Sequence, residues 1–376
     1  MRKALQLAED ATWLSNPNPR VGSVILSKDG RILGEGHTQE AGGSHAEIMA
    51  LRDALGNGNS VKGATAFVTL EPCSHHGRTP PCCDALIEAE VAKVVVATTD
   101  PNPLVAGRGL ARLRTAGIEV ELLPHDSEPA KASRELNIGF FSRMVRGTPW
   151  VRMKMAASLD GTSALDNGVS QWITGEPARE DGHAWRARAC AVLTGIGTVL
   201  EDDPRLDVRL PGVSRQPHLV VVDSDLKTPL TARLLEPVAD GLPRQVWIYH
   251  AALDPRKQEA LGERGALLTH LPGASNKVDL HAVLRDLAKR EVNELHVEAG
   301  SKLNGSFLRE GLVDELVVYL APKLLGAGAG VSSFGPLQRL QDGIGLNFTS
   351  VDRVGDDLRI VARVQGRDAF LQADQV

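Results

Sequence analysis

Strand-like and helix-like segments alternate along almost the whole 376-residue chain. Short runs rich in β-branched residues, such as VGSVIL and KVVVAT, are separated by segments whose apolar residues recur at helical intervals. This alternation is typical of a sheet covered by helices and predicts an α/β fold. It is interrupted at Gly-Thr-Pro, where Pro149 ends a helical segment and a new strand begins. Because the length suits two domains, we predict one α/β domain over 1–146 and another over 147–376.

The same patterns place the individual elements. In the first range the predicted helices are MRKALQLAEDA, HAEIMALRDAL, CCDALIEAEV, GRGLARLRTA and one around KASRELNIGFFSRMVRG, and the predicted strands are VGSVIL, ATAFVTL, KVVVAT and IEVELL. In the second range the predicted strands are WVRMKMA, CAVLTG, HLVVVD, QVWIYH, ELHVEAG, ELVVYLA and LRIVARV, with helices at EPAREDGHAWRARA and DLHAVLRDLAKR.

The composition excludes several classes of partner. Hydrophobic residues make up 42% of the chain and charged residues 24%, as in soluble globular proteins. The net charge of −5 and the aromatic content of 4% argue against a nucleic-acid or membrane surface. The N-terminal MRKALQLAED lacks the apolar core of a signal peptide, and no run approaches the roughly 18 apolar residues of a membrane helix. We therefore expect a cytoplasmic protein that acts on small molecules.

Three of the four cysteines, Cys73, Cys82 and Cys83, are clustered downstream of a His45-Ala-Glu47 sequence. In a reducing compartment such a cluster is more typical of a metal site than of a disulfide. A catalytic zinc takes three protein ligands from His and Cys and leaves the fourth position to water. His45 and two of the three cysteines would supply that set.

Both parts of the cluster lie where helices are predicted to begin. At the first turn of a helix His45 can reach the metal while Glu47 reaches the water, and Ser44 is a suitable N-cap residue there. The second part follows Pro80-Pro81, and a thiolate at that helix start gains from the positive end of the helix dipole.

His-x-Glu followed by Pro-Cys and a second Cys is the pattern of the zinc deaminases, in which the glutamate is the general acid and base. That pattern has two residues between its cysteines, whereas eight separate Cys73 from Cys82. The insert SHHGRTPP is polar and predicts an added substrate loop. It also leaves an alternative open, a structural zinc closed by His75 or His76.

The motifs NPNPRVGSVI, GEGHTQEAGGSHAE, TLEPCSHHGRTPPC and DPNPLVAGRGL resemble the deaminase half of the bifunctional deaminase–reductases of riboflavin biosynthesis. Downstream, MKMAASLDG, SQWITG, VLTGIGTVLEDDPRL and VEAGSKLNGSFL resemble the reductase half, in the family's order. The resemblance implies a cytidine-deaminase-like three-layer domain followed by a dihydrofolate-reductase-like α/β domain. It implies zinc-dependent deamination of 2,5-diamino-6-ribosylamino-4(3H)-pyrimidinone 5′-phosphate, then NADPH-dependent reduction of the ribosyl group to ribityl.

By position in the family, His45, Cys73 and Cys82 are the zinc ligands and Glu47 carries the proton. Cys83 then lies outside the ligand set, and we interpret it as a buried helix residue. Asn18 is assigned to the pyrimidine, although a residue between two prolines is equally typical of a turn.

The second range has no G-x-G-x-x-G after a predicted strand, so a Rossmann site is not indicated. GAGAG at 326–330 has the wrong spacing and is predicted as a loop. The junction between ELHVEAG and the following helix instead offers small residues and free N–H groups that suit a diphosphate. To this junction we assign Gly300, Ser301, Asn304, Gly305 and Ser306. The resemblance adds further NADPH contacts at Ala157, Trp172, Thr198, Asp202 and Ser224.

The resemblance also implies substrate contacts at Ser170, Arg186, Leu206, Arg209 and Glu298. The two arginines suit a ribose phosphate, although each alone is more typical of a solvated surface. Lys154 interrupts an apolar strand and is assigned to the substrate, with an edge-strand lysine as the alternative.

Two rival functions start from the same motifs. A deaminase of nucleic-acid bases would call for a basic stripe and stacking aromatic residues, which the composition does not favour. A non-catalytic second domain conflicts with the ordered reductase motifs. We expect a homo-oligomer, a dimer or a tetramer, with no nucleic-acid or membrane partner.

Overall fold

The computed structural model describes residues 1–75, 77, 80–103, 105–238 and 241–372. The chain divides into two compact units, one formed by Met1–Gly147 with the described residues from Phe370 onward, the other by Thr148–Ala369. This division lies one residue beyond the boundary predicted from the sequence, and Pro149 follows it. No helix in the described ranges is long and apolar enough to cross a membrane.

The first unit contains six helices and five strands in its described residues. The helices are α1 (Arg2–Asp10), α2 (Ala46–Gly56), α3 (Cys82–Glu88), α4 (Arg108–Thr115), α5 (Glu128–Leu136) and α6 (Ile138–Arg146). The strands are β1 (Gly22–Leu26), β2 (Ile32–His37), β3 (Thr65–Val68), β4 (Lys93–Val96) and β5 (Glu119–Leu122). They form one sheet in the order β2-β1-β3-β4-β5, antiparallel around β1 and parallel from β3 to β5.

Helices cover both faces of this sheet. A Cβ on Gly22 would lie 1.9 Å from the carbonyl oxygen of Ala4, so α1 packs directly on one face of β1. Gly36 pairs with the next residue of β1, Ser23, and its own Cβ would lie 2.4 Å from the Cβ of Met49 in α2. Because successive residues of a strand point to opposite faces, α1 and α2 lie on opposite sides. The expected three-layer arrangement is confirmed.

In this unit one element was missed and one prediction was wrong. The strand β2 was not predicted, because its glycines interrupt the apolar alternation that marks a strand. Glycine is needed there because α2 lies very close: a Cβ on Gly34 would be 2.2 Å from the carbonyl oxygen of Ala50. The single helix predicted around 131–147 is two helices that meet at Asn137. The Asn137 side chain accepts a hydrogen bond from the backbone N–H of Arg20 and donates one to its carbonyl oxygen, which fixes the break.

The second unit is built on a larger sheet. Its strands are β6 (Trp150–Ser158), β7 (Thr162–Leu165), β8 (Ala191–Gly195), β9 (His218–Val222), β10 (Val246–His250), β11 (Ala266–His270), β12 (Glu294–Val297), β13 (Glu315–Ala321), β14 (Gly328–Gly330), β15 (Leu346–Val354) and β16 (Asp357–Val364). Its helices are α7 (Glu176–Arg188), α8 (Ile196–Asp202), α9 (Pro255–Glu263), α10 (Leu280–Lys289) and α11 (Ser301–Arg309).

Nine strands form the order β11-β10-β9-β8-β12-β6-β13-β16-β15, and β14 pairs with β7 separately. The strands from β11 to β13 are parallel, while β16 and β15 are antiparallel to their neighbours. From β8 the chain proceeds outward to β9, whereas from β12 it proceeds the other way to β13. The gap between the carboxyl ends of β8 and β12 is therefore a topological switch point, where open α/β sheets bind ligands.

The seven strands predicted here are confirmed, as are α7, α10 and the helix predicted after ELHVEAG, which is α11, but β7, β11, β14, β15 and α9 were missed. The segment 326–330, predicted as a loop, contains β14, and a Cβ on Gly328 would lie 2.3 Å from the carbonyl oxygen of Ala164 in β7. The glycines of this segment thus permit close strand pairing. The missed β15 is an edge strand with little apolar alternation, because both of its faces are largely exposed.

Candidate active sites

Three metal-ligating side chains converge at the ends of three elements of the first unit. His45 is the N-cap of α2, Cys82 is the first residue of α3, and Cys73 follows β3. Their donor atoms all lie within 4.8 Å of one another. His45 Nδ1 is 3.2 Å from Cys82 Sγ and 3.6 Å from Cys73 Sγ. Tetrahedral zinc places nitrogen and sulfur ligands about 3.6 Å apart, so the donor set fits zinc in both chemistry and spacing.

The expectation that α2 starts at the metal site is confirmed, but Ser44 is not its N-cap. His45 occupies the N-cap position, and Ser44 Oγ accepts a hydrogen bond from Arg52 instead (2.7 Å). The N-cap backbone is extended, which turns the imidazole toward the cysteines while the helix carries Glu47 in its first turn.

Glu47 is buried, with 4% of its surface exposed. Burial, reinforced by the nearby Cys73 sulfur, raises the pKa of Glu47 to about 7. A carboxyl group with a pKa near neutrality can both accept and return a proton, as a general acid–base requires. The geometry therefore combines three metal donors with one acid–base group.

The sulfur atoms of Cys73 and Cys83 have different hydrogen-bond partners. The N–H of Cys82 donates to Cys73 Sγ (3.3 Å), and hydrogen bonds from the Cys82 thiol and from His45 hold the pKa of Cys73 well below its ordinary value. Cys83 points elsewhere: its thiol donates to the carbonyl oxygen of Pro72 (3.3 Å), and burial raises its pKa to about 12. The interpretation of Cys83 as a buried helix residue is confirmed.

The alternative of a closed structural site gains no support from the described residues. Within them no fourth histidine, cysteine or carboxylate joins the three donors, and His75 is not part of the group. His76 lies outside the described residues. For Asn18 the structure shows a turn held by Ser15, whose carbonyl oxygen accepts the Asn18 N–H (2.8 Å). Its contact with a pyrimidine stays a prediction.

In the second unit, several predicted cofactor residues meet at one edge of the sheet. Ala157 lies near the carboxyl end of β6 and Ser224 follows that of β9. Thr198 and Gly300 flank the switch point, and a Cβ on Gly300 would lie 3.8 Å from Thr198 Oγ1. Gly300 is the N-cap of α11, so the first N–H groups of that helix point into this edge.

Asp202 and Trp172 are linked through one residue. Asp202 Oδ1 accepts a hydrogen bond from Gln171 Nε2 (3.1 Å), and Trp172 is the next residue. The Trp172 ring is 66% exposed and carries the Arg179 guanidinium 4.7 Å from its centroid. An aromatic face open to solvent and an adjacent carboxylate are suited to a nucleotide.

Three residues of α11 have contacts within the protein instead. Asn304 donates to the carbonyl oxygen of Val331 (3.0 Å), and Ser306 accepts a hydrogen bond from Arg309 (3.1 Å). A Cβ on Gly305 would lie 2.3 Å from the carbonyl oxygen of Ser333. The contacts of Asn304 and Gly305 hold the helix against 331–333. At the helix start, the carbonyl oxygen of Ser301 also accepts the N–H of Ser333 (2.8 Å).

The predicted substrate residues include a buried ion pair. Arg186 donates from Nε and Nη2 to the two oxygens of the Glu298 carboxylate (2.5 and 3.0 Å), and from Nη1 to the carbonyl oxygen of Asp207 (3.0 Å). Burial alone would raise the pKa of Glu298, but Arg186 outweighs it and holds that pKa well below its usual range. The reading of Arg186 as a solvated surface residue is wrong.

Lys154 lies on β6, between β12 and β13, so the edge-strand alternative is wrong. Burial, assisted by Arg186, lowers its pKa. Arg209 is more exposed, at 62% of its side chain, and pairs with Asp207 (2.7 Å).

Two further assigned residues take different positions. Leu206 is buried in the apolar cluster of Val192, Val199 and Leu219 at a positive φ of 51°, so its side chain faces the core. Ser170 is half-buried.

Sequence reasoning missed two residues of these sites. His296 is fully buried on β12, its Nε2 3.5 Å from Glu298 Oε1, and burial lowers its pKa to about 3. The signal was a histidine inside the apolar run ELHVEAG. Glu71, two residues before Cys73, is a buried carboxylate that only the motif TLEPC could have indicated.

The fold and the two sites define a zinc-dependent deaminase joined to a dihydrofolate-reductase-like reductase. Residues 1–98 match the cytidine and deoxycytidylate deaminase zinc-binding region, and residues 149–360 match the RibD C-terminal domain. The chain belongs to the RibD family of riboflavin biosynthesis. It is a bifunctional deaminase and reductase that uses Zn²⁺ and NADPH on phosphorylated pyrimidines.

Relatives and solved structures agree over nearly the full length. The riboflavin biosynthesis protein RibD of Escherichia coli (strain K12) is 44% identical, over 95% of this chain and 96% of that protein. The Aquifex aeolicus protein of the same name is 40% identical over 96% of each. Acinetobacter baumannii RibD superposes with a TM-score of 0.85 at 39% identity, covering 97% of both chains. A Thermotoga maritima diaminohydroxyphosphoribosylaminopyrimidine deaminase/5-amino-6-(5-phosphoribosylamino)uracil reductase gives 0.82 at 33% identity, again over 97% of both.

Proposed function

We propose that residues 1–146 carry the deaminase and residues 147–376 the reductase. The first activity is hydrolytic deamination of 2,5-diamino-6-ribosylamino-4(3H)-pyrimidinone 5′-phosphate. The second is reduction of the ribosyl side chain of the product to ribityl phosphate. The observation that carries the proposal is the convergence of His45, Cys73 and Cys82 beside a buried Glu47.

In the deaminase site His45, Cys73 and Cys82 hold the metal, and Glu47 moves the protons. Bound zinc supplies Lewis-acid activation of a water molecule. The Glu47 carboxylate would accept one proton from the attacking water and pass it to the ring nitrogen, and would then accept the second proton from the resulting hydroxyl group and pass it to the amine, which leaves as ammonia. Its raised pKa suits both directions of transfer near neutral pH. Asn18 orients the pyrimidine.

In the reductase site the cofactor residues are those assigned by position in the family. Bound NADPH supplies the hydride. The free N–H groups at the start of α11, with Gly300 and Ser301, suit its diphosphate, and Thr198 lies across the switch point. The remaining contacts are assigned to Ala157, Trp172, Asp202, Ser224, Asn304, Gly305 and Ser306.

The substrate of this second site is held by fixed charges. Glu298 is immobilised by Arg186, so its carboxylate can accept hydrogen bonds from ribose hydroxyls without reorganising. Arg209 keeps an exposed guanidinium that suits the phosphate. Lys154, on the same central strands, donates from a buried amine. Ser170 and Leu206 complete the assigned contacts.

We further propose a homo-oligomer, a dimer or a tetramer. The edge strand β15 has nine residues and no partner strand on its outer side in the described sheet. Phe348 and Val351 on this strand are 70% and 54% exposed, and Leu340 just before it is fully exposed. A long apolar edge strand is a pairing surface that a second copy of the chain would cover.

The proposed location is the cytoplasm, and no nucleic acid or membrane is proposed as a partner. The four cysteines are free thiols, and the metal site needs its sulfurs reduced, which suits a reducing compartment. The net charge of −5 does not favour polyanionic surfaces.

Selective metal removal tests the proposed function. The chelator-treated full-length chain should fail to release ammonia from the diaminopyrimidine, yet it should oxidise NADPH when given the deaminated substrate. Restoring one zinc per chain should restore ammonia release. Loss of both activities on chelation, with the folding of the chain unchanged, would contradict the assignment of the activities to separate ranges.

A further inference from the structure

Glu71 is a buried carboxylate that accepts hydrogen bonds from four backbone N–H groups. One carboxylate oxygen accepts from the N–H groups of Asp100 (3.2 Å) and Gly107 (3.0 Å). The other accepts from Gly109 (2.9 Å) and Leu110 (3.3 Å). Glu71 therefore caps the first turn of α4 and also joins the preceding segment to it, with 3% of its own surface exposed.

The segment that leads from Glu71 to the metal site lies directly against α4. A Cβ on Gly109 would be 2.1 Å from the carbonyl oxygen of Pro72, so only glycine permits this approach. On the other side of Cys73, the carbonyl oxygen of Ser74 accepts a hydrogen bond from Arg112 in α4 (3.2 Å). Both flanks of Cys73 are thus attached to one helix.

The helix that carries the second cysteine is attached to α4 as well. Arg112 forms an ion pair with Asp84 of α3 (2.5 Å). The Cys83 thiol donates to the carbonyl oxygens of Pro72 and Gly109, at 3.3 and 3.5 Å. The segments on either side of the insert therefore meet on α4.

The spacing of the cysteines explains why such an attachment is needed. Two cysteines separated by two residues are held at metal distance by the turn between them. Here eight residues intervene, and a longer connection constrains its ends less. We propose that Glu71 is a positioning residue for Cys73, and that it fixes the spacing of Cys73 and Cys82 through the first turn of α4. This inference rests on the proposed assignment of Cys73 as a zinc ligand.

The test is Glu71→Gln in the full-length chain. A glutamine offers one acceptor oxygen and turns an NH₂ group toward two of the four N–H groups. We expect zinc transfer to a chelating dye at 25 °C to be about 10- to 100-fold faster than in the wild type, the range for residues that orient metal ligands. The thiolate-to-metal absorption of the cobalt-substituted protein should shift, and NADPH oxidation on deaminated substrate should be unchanged.

Two variants on α4 keep this test decisive. Arg112→Met removes the bonds to Ser74 and Asp84 from a side chain that is 45% exposed, so folding should survive, and it should also speed zinc release. Arg114→Ala is the matched control, because that arginine is exposed on the same helix and its side chain makes no ion pair or hydrogen bond to the described residues. Its zinc release should equal that of the wild type.

The two assignments can fail separately. If Cys73→Ser retains a full complement of zinc, Cys73 is not a ligand and the proposed metal site is wrong. If Cys73→Ser loses zinc while Glu71→Gln and Arg112→Met release it at the wild-type rate with an unchanged cobalt spectrum, the positioning role is overturned. Equal acceleration by Arg114→Ala would overturn it too, because the effect would then not depend on these contacts.

Discussion

The two active sites are built in opposite ways. In the first unit the metal donors are contributed by two helix starts and the segment after β3, and they converge within 4.8 Å. In the second unit the assigned residues come from strands, loops and helices spread between Lys154 and Ser306, and the largely parallel sheet brings them together. A site of the first kind depends on a few local turns. A site of the second kind depends on the topology of the whole unit.

The electrostatics differ in the same way. Around the metal site, burial raises the pKa values of acids, as for Glu47 and Asp100, each to about 7. In the second unit Glu298 is kept ionised by Arg186, and the buried histidine His296 is kept neutral. Proton transfer needs groups poised near neutral pH, whereas binding a polar substrate for hydride transfer needs charges that do not change.

The largest effect is expected from Glu47→Gln. The amide has nearly the same shape but cannot carry a proton, so deamination should fall by about 10³-fold or more. Zinc content should stay near that of the wild type, and reduction of deaminated substrate should be unaffected. Ammonia release and NADPH oxidation, measured on the same preparation, check this. Substantial deaminase turnover would remove Glu47 from its role.

Adjacent cysteines provide the next comparison. Cys82→Ser should deplete zinc, because it removes one of the three donors. Cys83→Ser should keep zinc, since the Cys83 thiol bonds to the Pro72 carbonyl oxygen and a hydroxyl can make the same bond. Metal analysis by mass spectrometry of the two purified proteins decides between them. The reverse result would move the ligand set by one residue.

Breaking the buried ion pair should affect only the second unit. Glu298→Gln leaves the Arg186 guanidinium buried without a counter-charge, which we expect to destabilise that unit by about 3 kcal/mol. Denaturant unfolding followed by tryptophan fluorescence measures this independently of substrate binding, with loss of ammonia release as the reference for the first unit. Asp207→Asn is a milder comparison, because its Arg209 partner is largely exposed and such pairs contribute about 1 kcal/mol or less.

The same contrast explains how much the sequence could predict. The metal site was predictable because its residue types and spacing carry the chemistry, and α2 and α3 begin where the motifs place them. The local capping was not: His45 rather than Ser44 is the N-cap. Strand β2 was missed because its glycines permit close contacts with α2, and such contacts leave no hydrophobic periodicity in the sequence.

The reductase site depended on the family resemblance. Nothing in the spacing of Arg186 and Glu298, 112 residues apart, indicates an ion pair. Their approach follows from the sheet order, which places β12 between β8 and β6 against the chain order. Glu71 and His296 were missed for a related reason. The burial of a carboxylate or an imidazole depends on partners that only the folded chain brings close.

A smaller effect should appear as a pH dependence of the second unit. The pKa of His296 is lowered by burial from its ordinary 6.5 to about 3, so between these values the unfolded chain binds more protons than the folded one. Stability should therefore fall as pH drops below 6.5, by about 2 kcal/mol at pH 5 from this group. His296→Leu should flatten this part of the unfolding profile. An identical slope in wild type and variant would show that His296 does not titrate on unfolding.

The smallest effect is expected at Asp202, and it tests whether the turn after β8 belongs to the cofactor site. Asp202 accepts a hydrogen bond from Gln171, next to the exposed Trp172, so Asp202→Ala removes an anchor beside the proposed nucleotide. One such hydrogen bond contributes about 1 kcal/mol, which corresponds to about a five-fold rise in KM for NADPH.

The neighbouring Asp203 provides the control, because its role is structural: its φ is +40° and its carboxylate accepts the N–H of Arg233 (2.8 Å). Asp203→Asn preserves both features, because asparagine tolerates this backbone region and keeps an acceptor oxygen, so its KM should match the wild type. Equal KM values for Asp202→Ala, Asp203→Asn and the wild type would make the turn part of the scaffold, and the cofactor would then be held from the α11 side of the switch point alone.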